Sequence, residues 1–293
     1  MPPEGIELFE KKFILTFEEM ERFSRIAVSL GVRKIKITGG EPLVRRGVVN
    51  FIASLRGIDG LEDISITTNG MLLAEMAEEL KEAGLDRVNV SVDSLDHERF
   101  REITRGGDVH KVKRGIKKAL DCGFKIKINT VVMDRLSEAE VVELIEYGNE
   151  LGLEVRFIEF MPLCGNGWNN DQFIPISEVE GIIEKKYGLT YLGNNGVADR
   201  YSIGGGGTIG FIRTMSEPFC SSCSRLRLTA RGTLRPCLFS CLEVRVFPFL
   251  RGSASDEEIV KAIGKAVYLK PERNPVLSGI EEPKKVYIRN VGG

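Results

Sequence analysis

Cys220, Cys223 and Cys237 stand in the run FCSSCSRLRLTARGTLRPC, and Cys241 follows four residues later, so one short stretch holds four of the chain's six cysteines. Thiolates spaced C-x2-C with a third further on form a metal-ligand pattern. A structural zinc wants four ligands and could take Cys241 as the fourth. An iron–sulfur cluster also takes four thiolates, and with only three it leaves one iron open to an outside ligand. Spacing alone puts zinc slightly ahead. A disulfide is the weakest option, because the start MPPEGIELFEKK has neither the basic nor the apolar region of a secretory leader, and a cytosolic chain keeps its thiols reduced. Arg225, Arg227 and Arg231 fall on alternate positions of SRLRLTAR, so on a strand they would share one face beside the metal. Guanidinium groups suit bidentate phosphate binding; the alternative is a solvated basic strand. Cys122 and Cys164 stand apart and read as buried bystanders.

The rest of the composition narrows the chemistry. His97 and His110 are the only histidines, and both lie in polar helix-start or loop contexts, which sets aside serine–histidine hydrolysis and histidine-rich zinc catalysis. The 41 basic and 42 acidic residues leave a net charge of −1. Overall charge therefore favours neither nucleic acid nor a membrane surface, and anion binding must come from local clusters. No apolar run approaches the ~20 residues of a membrane span. The composition is that of an ordinary globular protein, and a cytoplasmic location is expected.

The elements that must position these groups alternate along the first two-thirds of the chain. Apolar periodicity predicts helices over 15–31 (N-cap Thr16, stop at Gly31), 47–56, 72–84, 108–122 and 137–151. Strands are expected at 34–38, 63–67, 87–92, 124–132 and 153–160. Strands separated by helices imply a parallel sheet, open or barrel-like. Such strands are usually apolar on both faces. Here they alternate: Lys34, Lys36 and Thr38 against Ile35 and Ile37, Asn89, Ser91 and Asp93 against Val88, Val90 and Val92, and Lys125, Lys127 and Asn129 against Ile126 and Ile128. Each strand thus has a polar face, and lysines there need a counter-charge. The expectation is a wide or incomplete barrel with a polar lumen holding an anion. Beyond 165 a loop, a helix at 177–187, glycine-bearing strands at 201–219 and a helix at 255–268 are expected.

Three motifs end consecutive strands at their carboxyl ends, where α/β sites form: ITGGEP (37–42), ITTNG (66–70) and SVDSLD (91–96). Singly, each reads equally well as a turn or a helix cap. Together, at one end of the sheet, they favour a shared site.

TGGEPL…RR, TTNG, LDRVNVSVDSLD, EVRFIEFMP, SEPFCSSCSRLRLTARGTLRPCLFS, KPE and the terminal Gly-Gly together resemble the GTP 3′,8-cyclases of molybdenum-cofactor biosynthesis, a radical S-adenosylmethionine (SAM) family. The resemblance implies an α/β fold: an incomplete, TIM-like (β/α) radical SAM barrel over 1–165, with a cluster-binding extension over 166–293. It implies that Cys220, Cys223 and Cys237 hold a [4Fe–4S] cluster whose open iron meets the purine, and it offers no counterpart for Cys241. SAM would contact Gly39, Gly40, Glu41, Thr67, Ser91 and Met161. GTP would contact Lys34, Lys36, Thr67, Lys127, Arg156, Arg225, Leu226 and Arg227, with Gly292 and Gly293 reaching the active site. Lys36 stands where arginine is common in the family, which leaves a point charge in place of a fork.

The family's CxxxCxxC motif, which holds a second [4Fe–4S] cluster and cleaves SAM, is expected immediately before Met1-Pro2-Pro3, together with an arginine that contacts GTP. The chain as written is accordingly expected to be a truncated, inactive form of a cyclase, with the second cluster present only when that segment is. A cyclic pyranopterin monophosphate synthase downstream is the implied pathway partner; a homodimer is compatible, and neither nucleic acid nor membrane is expected. Two other readings stay open: a non-catalytic nucleotide-binding protein with a structural cysteine–metal site, and a radical SAM enzyme that modifies a peptide.

Overall fold

The structure, a computed structural model, describes residues 10–133, 136–163, 173–252 and 254–278; Cys164, Gly292 and Gly293 lie outside them. The chain runs α1 (Phe17–Ser29), β1 (Lys34–Ile37), α2 (Val48–Arg56), β2 (Asp63–Thr68), α3 (Leu73–Glu82), β3 (Arg87–Ser91), α4 (His97–Thr104), α5 (Val109–Asp121), β4 (Lys125–Val132), α6 (Glu138–Glu150) and β5 (Glu154–Glu159). It continues with α7 (Ile176–Tyr187), β6 (Leu189–Asn194), β7 (Asp199–Ile203), β8 (Thr208–Ile212), β9 (Arg227–Leu228), β10 (Thr233–Arg235), β11 (Val244–Arg245), α8 (Phe247–Arg251) and α9 (Asp256–Tyr268).

The main sheet has the order β1-β2-β3-β4-β5-β8-β7-β6. β1 to β5 and β8 pair in parallel, while β7 and β6 add an antiparallel edge. β1 and β6 are its two edges, so the barrel stays open as expected. The expected boundary at 165 falls within the span of this sheet, because β6, β7 and β8 join it.

The alternation in the strands resolves as the sequence requires. Ile64, Ile66, Val88, Val90, Ile128 and Phe157 are buried in one core with Leu73, Leu80, Val112, Ile116, Leu144 and Ile145 of the helices. Gly70, at φ +77°, opens the turn after β2; a Cβ there would meet Val112 and Val90 Cγ1 at 2.9 Å. Thr16 caps α1 in a capping box with Glu19, worth about 1 kcal/mol. The sequence pattern omitted α4. Phe100 is that helix's one buried residue, so apolar periodicity had nothing to register, although Asp96 accepting from Arg99 N–H is a readable cap.

A second core joins the cysteine-bearing extension to the barrel. Leu15, Phe23, Ile26 and Ala27, on or just before α1, pack against Leu234, Val244, Val246, Ile259, Ile263 and Ala266. Leu15 N–H donates to Ala230 O at 2.7 Å, and Arg251 grips Glu19 and Ile14 O. α1 therefore carries the sheet on one side and the extension on the other.

Candidate functional site

Parallel register lines the expected residues up in rows across the polar face. Lys36 lies beside Ser65, and Ser65 beside Arg87. Thr67, Asn89, Lys127 and Glu154 form the next row, and Ser91, Asn129 and Arg156 the row nearest the carboxyl ends. Lys34, exposed at the start of β1, sits one step below Lys36 and furthest from the loops.

Charge dominates this face. Lys36 is open to solvent by surface area, yet the protein groups crowded around it desolvate its ammonium. Desolvation, then Arg156, Arg225, Arg87 and Lys127, push its pKa down to about 8. Lys127 is likewise lowered, by burial and by Arg156, against the pull of Glu154. Glu154 is the internal counter-charge that the sequence reading missed. It is 9% exposed and accepts from Lys127 Nζ at 2.9 Å, from Arg200 Nε at 3.1 Å and from Arg156 Nε. Its place in the alternation Glu154-x-Arg156 was legible. Its pairing with Lys127 needed the β4–β5 register. Gly210 makes room for the group: a Cβ there would lie 3.0 Å from Arg156 Cγ and 3.4 Å from Glu154 Oε1.

Three cations on one carboxylate leave the face net positive, with Lys36 carrying no carboxylate partner among the described salt bridges. Asn129 Oδ1, between Ser91 and Arg156 in register, is buried without a hydrogen-bond partner. A ligand donor would satisfy it. Asp93, just past β3, accepts from Val131 N–H at 2.9 Å, and burial raises its pKa to about 6 against that bond.

At the carboxyl ends, Gly39 has φ +147°, and a Cβ on Gly39 or Gly40 would meet nothing within 4 Å, so the backbone borders open space. Glu41 is engaged within the protein: it accepts from Leu43 N–H at 3.0 Å, Thr68 Oγ1 at 2.8 Å and Asn69 N–H at 2.7 Å. It ties the first strand-end loop to the second. Met161 packs with Leu163, Leu238 and Phe239, joining the loop after β5 to the segment after Cys237.

The cysteine segment reaches the same face. Arg225 stands 4.8 Å over the Phe219 ring, hydrogen-bonds the Cys223 thiol, and adds its charge to that on Lys36. Burial works to raise the Cys223 pKa, but the Arg225 N–H and guanidinium, with Lys270, bring it down to about 7. Burial pushes Cys220 up, and Cys237 and Cys223 add to the rise. Arg227, half-buried on β9, falls to about 10 through burial and Arg225, with Cys237 and Cys223 opposing. Arg231 departs from expectation: β9 ends at Leu228, and Arg231 sits exposed in the β9–β10 turn, off the shared face. Leu226 packs against the second core.

No disulfide joins any of the five described cysteines. No three described Cys, His, Asp or Glu side chains converge as one ion would require. A single zinc, with Zn–S near 2.3 Å, draws its sulfurs to within about 4 Å of one another; a cubane spreads its thiolates over separate irons. Three neighbouring, half-buried thiols flanked by Arg225 and Lys270 fit the cluster's anionic charge. His97 and His110 open α4 and α5 and stack at 5.2 Å, away from all of this. Cys122 packs half-buried against the main core.

Comparison with known proteins accounts for both halves. Residues 3–148 match the Radical SAM superfamily model. Residues 153–276 match the Molybdenum Cofactor Synthesis C model. A GTP 3′,8-cyclase of Syntrophomonas wolfei is 44% identical over 299 residues, covering 100% of this chain and 92% of its own. The chain belongs to the GTP 3′,8-cyclase family. Another member, from Thermodesulfovibrio yellowstonii, is 45% identical over 93% of this chain and 86% of its own. The mouse protein named Molybdenum cofactor biosynthesis protein 1 is 42% identical over 97% of this chain, which spans 45% of it. Among solved structures, native anSMEcpe with bound AdoMet superposes with a TM-score of 0.58 over 90% of this chain and 76% of its own, at 15% identity. That likeness supports the fold, an open radical SAM barrel. Among the described residues no helix is long and apolar enough to cross a membrane.

Proposed function

We propose that this protein converts GTP to 3′,8-cyclo-7,8-dihydro-GTP in molybdenum-cofactor biosynthesis, using SAM and a [4Fe–4S] cluster on Cys220, Cys223 and Cys237. The observation that carries the reading is the shared electrostatic field of the lumen and the cysteine segment: Arg225 acts on Lys36 and on Cys223 alike. A polyanion bound along Lys36, Lys127, Arg156, Arg225 and Arg227 would leave its base near the thiols. When bound, SAM and its reduced cluster supply the carbon-centred radical that takes a ribose hydrogen.

The protein's own residues do the positioning. Lys36, Lys127 and Arg156 hold the triphosphate in a lumen of lowered dielectric, where charge-assisted bonds are strong. Glu154 keeps Lys127, Arg156 and Arg200 in fixed directions before the ligand arrives, so little reorganisation is left for binding. Gly39 and Gly40 let backbone approach SAM, and Thr67, Ser91 and Asn129 offer hydroxyl and amide groups beside it. Glu41 acts one step back, by locking the loops that carry these groups. The reaction is cytoplasmic in this reading, and its product passes to a cyclic pyranopterin monophosphate synthase.

The whole protein, reconstituted with iron and sulfide under anaerobic conditions, is given GTP, SAM and a reductant. The expected products are 5′-deoxyadenosine and the cyclised nucleotide in matched amounts. Neither product forming, in a protein that carries its clusters, would remove the reading.

A further inference from the structure

Lys270 sits just beyond α9, in the run KPERN, and its ammonium donates to Arg225 O at 2.8 Å and to Pro236 O at 2.9 Å. Arg225 follows Cys223 by two residues, and Pro236 directly precedes Cys237. The β9–β10 ladder reaches only as far as the Arg235–Arg227 pair, so the two cysteine-bearing limbs leave the ladder where they approach the thiols. The Lys270 ammonium spans them there.

Asn274, four residues on, is 2% exposed. Its backbone N–H is bonded to the Cys220 thiol. Its Oδ1 accepts from Val276 N–H at 3.1 Å, and its carbonyl accepts from Ser278 N–H and Oγ at 3.1 and 3.0 Å. Its Nδ2, however, is buried with no acceptor. Buried donors are nearly always satisfied, and a cluster would bring sulfide and thiolate acceptors to this place.

We propose that Lys270–Asn274 is a clamp for the cysteine-bound cluster: Lys270 fixes the separation of the two cysteine limbs, and Asn274 donates N–H groups to the cluster's sulfurs. Both are positioning residues, and the inference rests on reading the three cysteines as iron–sulfur ligands. N–H donors and a nearby cation favour the more negative, reduced cluster, so they raise its potential.

The test uses the whole protein reconstituted anaerobically, with iron and labile sulfide measured per chain, iron loss followed against a chelator, and the midpoint read from an EPR-monitored redox titration. Lys270→Met should weaken iron retention by about 10-fold, and Lys270→Arg, which keeps the positive charge and enough N–H donors for both carbonyls, should restore most of it. Asn274→Asp, the same shape without the side-chain donor, should keep its iron and titrate at a lower midpoint than wild type. Lys270→Met with wild-type retention, or Asn274→Asp with an unmoved midpoint, overturns the clamp. If Lys270→Met does not fold, Asn274→Asp and Lys270→Arg decide it on their own. Wild-type protein that takes up no iron and sulfide overturns the cluster reading itself, and the clamp with it.

Discussion

Lys36 shows how a residue's neighbours set what it can do. Its pKa of about 8 lies below the usual 10.5 because it is desolvated and faces Arg156, Arg225, Arg87 and Lys127. Ionised Lys36 therefore works against the empty fold. That penalty is full below about pH 8 and fades as pH rises toward 10.5. A bound anion reverses the balance and pulls the pKa back up. Triphosphate affinity should be steady up to pH 7 and fall as pH passes 8, with a proton taken up on binding near pH 8. Calorimetry in two buffers of different ionisation heat reads this directly, and Lys36→Arg should flatten both effects. A flat wild-type profile between pH 7 and 9 would mean that Lys36 does not face the anion. The lysines themselves were legible as polar positions on alternating strands. The roles of Glu154, Lys270 and Asn274 were not, since each acts through a partner far away in sequence: Glu154 on Lys127 across β4–β5, Lys270 on two carbonyls beyond β9 and β10, Asn274 on Cys220.

At the scale of elements, the sequence pattern located the βα units because each buries one regular apolar face, and β1 to β5 follow it closely. It failed where an element is held by something other than an apolar stripe. α4 buries Phe100 alone, and β9 has only two residues and stands through its pairing with β10. A short β9 is also why Arg231 leaves the face that Arg227 keeps. The extension, in turn, stands by its packing on α1. Ile259 on α9 is fully buried in that second core, so Ile259→Ala should cost about 2–5 kcal/mol, read from the denaturant midpoint. Because the same core seats the β9–β10 limbs, iron retention should fall with it. Val267→Ala on the exposed side of α9, at 57% exposure, should change neither. An Ile259→Ala protein as stable as wild type would show that the extension does not depend on α1.

For the whole molecule, the design is an open parallel barrel whose polar inner face is matched by a separately packed cysteine segment. Family membership agrees with what the alternating strands require: a lumen lined by lysine and arginine needs an anion larger than one carboxylate can balance. Glu154 supplies part of that balance, and Lys36 and Arg225 leave the rest for a ligand. On the proposed function, the cationic face and the three cysteines form one site for a nucleoside triphosphate. Isothermal titration of anaerobically reconstituted protein with GTP and with guanosine checks this. Iron and labile sulfide are expected in the protein, with GTP binding at least about 10-fold tighter than guanosine, the worth of a single charge-assisted hydrogen bond. A colourless zinc protein that binds GTP no more tightly than guanosine would contradict it.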